Sequence, residues 1–166
     1  MSKMKVKLLL AGVVVGCAFG LIALRFAWAT PPSGPNSSGE PTFSSSFIAG
    51  PVTLDALHIQ SETDSYEIEI KTNGASQARV AEIRIAPGGH TGWHSHPGPV
   101  FVMITAGALT LEQADGSIAV YPAGTGFVEE PGHVNIARNE EDVDLELVAF
   151  FLTPLGAAPR TDEPAP

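Results

Sequence analysis

A chain of 166 residues with formal net charge -9 and a single cysteine holds one domain with a real core, which excludes disorder throughout. Lys3, Lys5, Lys7 and Arg25 precede Thr30 and all 18 acidic residues follow it, so the rest of the chain sets five basic residues against 18 acidic ones, a net -13. Such a surface repels nucleic acid and anionic lipid head groups. The lone Cys17 lies in the apolar N-terminal segment, which leaves the body without an internal disulfide, a Cys nucleophile or a thiolate ligand.

Residues 1–29 read as an address. Three early lysines, an uncharged apolar run from Leu8 to Leu24 and Ala27-Trp28-Ala29 before Thr30 reproduce the three regions of a secretory signal peptide. The run is longer than the ~7 to 15 residues of a signal core and reaches the ~17 that span a bilayer, so an uncleaved transmembrane anchor helix over residues 8–24 stands beside it. Val14-Val15-Gly16-Cys17 is also similar to a bacterial lipoprotein box, although Ala18 to Ala29 would then be an unusually apolar mature start. Every one of these readings places the body outside the cytoplasm, periplasmic, secreted or held at the membrane by its N-terminal segment. Residues 30–46, rich in Pro, Ser, Gly and Thr, have little to bury against their ordering entropy and read as a flexible linker. Residues 156–166 read as a breaker-rich tail, which leaves residues 47–155 as the folded domain.

Inside that domain the apolar period is two. Ile68 and Ile70 alternate with Glu67 and Glu69, and Val80, Ile83 and Ile85 sit among Glu82 and Arg84. Strands are predicted at Val100 to Thr105, Ala108 to Glu112, Ile118 to Tyr121, Gly126 to Val128, His133 to Arg138 and Val143 to Leu152. Gly, Pro and Asn turn signals such as Pro87-Gly88-Gly89 and Pro131-Gly132 separate them. Many short strands with frequent turns predict an all-β sandwich or small barrel whose interior holds side chains or one small ligand. Val100 to Thr105, apolar at successive positions, reads as buried on both faces.

Four of the five histidines lie at 90, 94, 96 and 133. On an extended strand His94 and His96 project from one face, and His133 and Asn135 repeat the arrangement. If both pairs face the interior, three imidazoles and an amide converge, a donor set suited to Zn, Fe, Cu or Ni with positions left for water or substrate. His90 reads as an exposed loop residue, His58 as exposed or edge, and Trp93 as packing.

Gly88-x5-His94-x-His96-x3-Val100-x6-Gly107 resembles the first signature motif of the cupin family, G-x5-H-x-H-x3,4-E-x6-G, and Gly124 to Asn139 is loosely similar to the second. The resemblance implies a double-stranded β-helix, a small jelly-roll barrel, and a divalent metal ion, zinc, iron or manganese, held by His94, His96 and His133. The context of these histidines is also similar to small exported bacterial cupins. Val100 stands at the family's glutamate position, so the usual anionic ligand is missing. Counting the family's His-x3-Asn spacing back from Asn139 puts Asn135 at the second-motif ligand position, whereas local chemistry favours His133. Val100 and Asn135 are therefore additional pocket candidates. Glu129 and Glu130, on the turn before His133, read as solvated and are not named as ligands.

No Gly-x-Ser-x-Gly elbow, phosphate loop or dinucleotide fingerprint is present, which excludes nucleotide-dependent catalysis. The sequence thus predicts an exported, single-domain metal-binding cupin with a small-molecule ligand. A metal-dependent enzyme of unassigned reaction and a metal-free small-ligand-binding module are its two forms. Cupins commonly pair through their sheets, so the resemblance also implies a homodimer.

Overall fold

The computed structural model describes residues 29–36, 39 and 42–166, so the signal-peptide and anchor readings lie outside the described residues. Among those residues no helix is long and apolar enough to cross a membrane. Two five-stranded antiparallel sheets face each other. The first runs in the order β1 (Phe43–Leu54), β4 (Ser76–Ile85), β11 (Leu145–Pro154), β6 (Val100–Ala106) and β9 (Gly126–Glu129). The second orders β12 (Thr161–Asp162), β5 (His94–Ser95), β10 (Asn135–Arg138), β7 (Ala108–Gln113) and β8 (Ile118–Pro122). A separate hairpin joins β2 (His58–Thr63) to β3 (Tyr66–Lys71), where Ile68 and Ile70 are half-buried between exposed glutamates as their alternation predicts. This is the all-β double-stranded β-helix that the resemblance implies.

Alternation decides which side chains enter. Val100, Val102 and Ile104 of β6 are buried with Leu145, Leu147, Ala149 and Phe151 of β11. Phe101 and Met103 are instead 42% and 48% exposed, so β6 is covered on one face only, in contrast to the expectation from its continuous apolar run. The register lays inward side chains in rows across the first sheet. One row reads Phe47, Ala81, Ala149, Val102, Phe127. Two adjacent alanines flanked by bulkier residues leave room at the centre. The next row reads Arg79, Phe151, Val100, Glu129. The barrel therefore brings an acidic side chain to the same level as the position that should have carried one.

The framework also reaches beyond residues 47–155. β1 begins at Phe43, and the segment after Leu155 returns to the second sheet, where Thr161 and Asp162 pair with Ser95 and His94. Ala29 forms an isolated bridge with Pro164, and the Thr30 amide donates to the Glu163 carbonyl at 2.8 Å. Gly92 makes this closure feasible: its φ is +71°, and a Cβ there would strike the Thr30 and Pro31 carbonyl oxygens.

Candidate metal centre and cavity

His94 and His96 straddle Ser95, whose hydroxyl turns the other way and donates to Glu163 Oε1 at 2.8 Å. Both imidazoles are buried, at 4% and 5% exposure, with ring centroids 4.9 Å apart and planes nearly perpendicular. His94 Nδ1 lies 2.9 Å from the Gly92 carbonyl oxygen and His96 Nδ1 lies 2.6 Å from that of Pro159. A carbonyl only accepts, so each Nδ1 must carry a proton and donate, which leaves each Nε2 as the coordinating nitrogen. Burial pushes the His94 pKa down to about 4, with Arg160 and His96 acting in the same direction against the charge of Glu129. His94 is consequently neutral at pH 7, the form that binds metals.

Glu129 supplies the anion. Its Oε2 lies 2.8 Å from His96 Nε2, and both side chains are almost fully buried. One donor atom from each of His94, His96 and Glu129 falls within 4.8 Å of the others. His96 has already given its Nδ1 proton to Pro159, so a neutral ring would turn a lone pair toward a carboxylate lone pair. The contact requires either a proton shared between His96 Nε2 and the carboxylate or a metal ion held between the two. Nor is Glu129 the only observation that fits a metal. Asn135 sits opposite His94 in the β5–β10 ladder, two residues before the cavity-lining Ala137 and so on the same face, and its buried Oδ1 has no hydrogen-bond partner. An orphaned amide oxygen on the face that His94 occupies, together with two imidazoles and a carboxylate, is chemistry that suits a divalent ion.

The cluster sits at the polar end of a cavity of about 390 Å³. Phe43, Phe47, Ile83, Val102, Phe127 and Phe151 form much of its apolar wall, and Val100 lines it too. Phe151 also packs edge-on against His96, at 5.6 Å between ring centroids. Pro159, Arg160 and Asp162 of the C-terminal segment also line the cavity.

The structure does not bring His133 to this cluster. Its side chain is 60% exposed and lies 3.6 Å from Glu130, itself 70% exposed. The physical reason is local: β10 begins only at Asn135, and the His133 amide closes a turn onto the Glu130 carbonyl, so strand alternation does not extend back to 133. Glu129, set aside with Glu130 as a solvated turn residue, is 8% exposed and faces inward, while Glu130 remains in solvent. The missing signal was one more step of alternation on β9, where half-buried Phe127 and buried Glu129 share a face and Val128 points out. His90 is half-buried, accepts from the Gly92 amide at 3.0 Å and titrates below its ordinary range through burial and nearby Arg138. His58 is exposed near Glu69, at 3.4 Å, and Trp93 is 6% exposed as packing predicts.

Residues 81–151, which contain both imidazoles, Glu129 and Asn135, match the family model described as cupin domain. The chain carries a cupin domain. The chain is also similar to several solved structures. A cupin-like protein from Thermotoga maritima is 19% identical over 56% of this chain and 79% of its own, with a TM-score of 0.48. A Cupin 2 conserved barrel domain protein from Salinispora arenicola is 17% identical over 68% and 76%, with the same score. An oxalate oxidase in complex with the substrate analogue glycolate is 19% identical over 51% of this chain and 45% of its own, with a TM-score of 0.45. No curated protein matches the sequence.

Proposed function

We propose that this cupin domain holds a divalent metal ion through His94, His96 and Glu129 and takes a small molecule into the adjoining cavity, on the extracytoplasmic side of the membrane. The observation that carries the reading is the His96 contact pair: one imidazole set between the Pro159 carbonyl and the Glu129 carboxylate, which needs a proton or a metal ion on its Nε2 side. Two Nδ1–H groups anchored on backbone carbonyls and an unpartnered Asn135 Oδ1 support it. Bound there, a divalent ion supplies Lewis acidity or a site for oxygen chemistry. The chain's own residues do the rest: the carbonyls of Gly92 and Pro159 orient the rings, Glu129 balances charge, and the aromatic wall excludes water.

A second reading has a specific observation in its favour. With His96 doubly protonated, His96 and Glu129 form a self-sufficient buried ion pair, and the cavity becomes a metal-free binding site. Elemental analysis of the untagged chain, purified without chelator, separates the two. Near-stoichiometric zinc, iron or manganese that is lost in His94→Ala supports the metal centre. No metal after reconstitution with each ion leaves the metal-free site. Export is tested separately, by fractionating cells that express the full chain and asking whether the domain reaches the extracytoplasmic fraction.

A further inference from the structure

Every Lys and Arg of the described residues except one lies off the cavity wall; the exception, Arg160, comes from the C-terminal segment rather than the barrel. Its position is fixed from two sides. Nη2 donates to the carbonyl oxygen of buried Thr91 at 2.6 Å, and Nε donates to Asp162 Oδ1 at 2.7 Å. Nη1 has no acceptor among the described residues, so two N–H groups of a positioned guanidinium are left over. The segment that carries Arg160 is itself tied down: the Pro159 carbonyl accepts from His96, Thr161 and Asp162 pair with β5, and the Glu163 amide donates to the Trp93 carbonyl at 2.9 Å.

Charge points the same way. With a divalent ion between neutral imidazoles, the ion and Arg160 outweigh Glu129 and Asp162 by one positive charge, in a domain that is otherwise strongly acidic. A monocarboxylate restores neutrality among these lining groups, and apart from Ser45 and Thr91 the rest of the wall is apolar. The volume, about 390 Å³, lies near the lower end of the roughly 300–1,000 Å³ found for small-molecule sites.

We propose that Arg160 makes the cavity a receptor for a small monocarboxylate with an apolar body, the carboxylate held through Arg160 Nη1 and the body lodged among Phe43, Phe47, Phe127 and Phe151. The charge balance rests on the metal reading; the placement of Arg160 does not. An Arg–carboxylate contact is charge-assisted and directional, which an alcohol of the same size cannot reproduce.

The test is isothermal titration of the full chain, metal-loaded and chelator-stripped, with butanoate, benzoate and 3-phenylpropanoate and with their matched alcohols. At least one acid is expected to bind ~10-fold or more tighter than its alcohol, and Arg160→Gln should erase that preference, as expected for a charge-assisted hydrogen bond to a half-buried guanidinium. Metal stoichiometry and melting temperature are read on the same Arg160→Gln protein, and both should stay near wild type, showing that the loss is not unfolding. Acids that bind no better than alcohols, or a preference that survives in Arg160→Gln, overturn the proposal while leaving the metal reading intact. An Arg160-dependent preference in protein that never takes up metal sustains the proposal and removes the metal reading instead.

Discussion

Replacing Glu129 by Gln keeps the side chain's size and removes its charge, where His96 Nε2 stands 2.8 Å away and both groups are almost dry. At an effective dielectric near 20, unit charges at that separation attract by roughly 6 kcal/mol, and desolvation offsets part of it. Breaking such a pair from one side costs about 3–5 kcal/mol when the other member stays charged. A Gln amide can still donate to the His96 Nε2 lone pair, so the metal-free variant should lose only about 1–3 kcal/mol. The metal-bound state has no such substitute. Loss of the one carboxylate from the cluster should weaken divalent-ion binding by at least ~100-fold, the upper range seen for groups that merely orient ligands. Competition against a chromogenic chelator measures the affinity, and urea unfolding of the stripped protein measures the stability. His133→Ala is the paired control, expected to bind metal as wild type does, because its ring lies in solvent. Unchanged affinity in Glu129→Gln, or lost metal in His133→Ala, would refute the assignment of the carboxylate.

Removing residues 159–166 deletes the carbonyl that orients His96 and should lower metal affinity by about 10- to 100-fold while the barrel still folds; an unchanged chelator competition would show that the segment is ornamental to the site. Leu145→Ala empties a position with no solvent exposure and should cost about 2–5 kcal/mol in urea unfolding, and a loss below 1 kcal/mol would mean the core relaxes around it. Asn139 is 1% exposed, its Nδ2 donates to the Ile85 and Val143 carbonyls at 2.7 and 2.8 Å, and its Oδ1 accepts from the Glu141 amide. Asn139→Ala should therefore destabilise by about 3 kcal/mol, where an ordinary surface change costs under about 0.5. Gly92→Ala, which drives a methyl into the Thr30 and Pro31 carbonyls, should release the segment before Phe43 and make it sensitive to limited proteolysis without unfolding the barrel.

Most of the barrel was legible because period-two alternation writes itself locally. Val80 to Ile85, Ala108 to Glu112 and Ile118 to Tyr121 fall inside observed strands, and the His94-x-His96 spacing placed two rings on one face. What escaped depends on partners distant in sequence. Glu129 matters because β9 pairs with β6 so that it stands directly opposite Val100, and nothing in the text around either residue encodes that register. A carboxylate does reach the cluster, but from the strand that neighbours Val100. His133 failed for the converse reason, since parity with Asn135 means nothing once the chain leaves the extended conformation at the Pro131-Gly132 turn. β1 was hidden by a serine-rich, largely exposed sequence that only its pairing with β4 holds straight, and β12 is two residues among prolines.

The bridge between Ala29 and Pro164 has a practical consequence for anyone handling the protein. Ala29 and Pro164 meet beside the segment that pairs with the strand carrying His94, so anything joined directly before Ala29 or after Pro166 begins its path near residues that line the cavity. A polyhistidine tag there would hold several imidazoles at millimolar effective concentration near a two-histidine site. It would load metal, strip it or plug the entrance, and each artefact would pass for function. The tip of the β2–β3 hairpin at Asp64-Ser65, on an element that belongs to neither sheet, is the safer place for a handle.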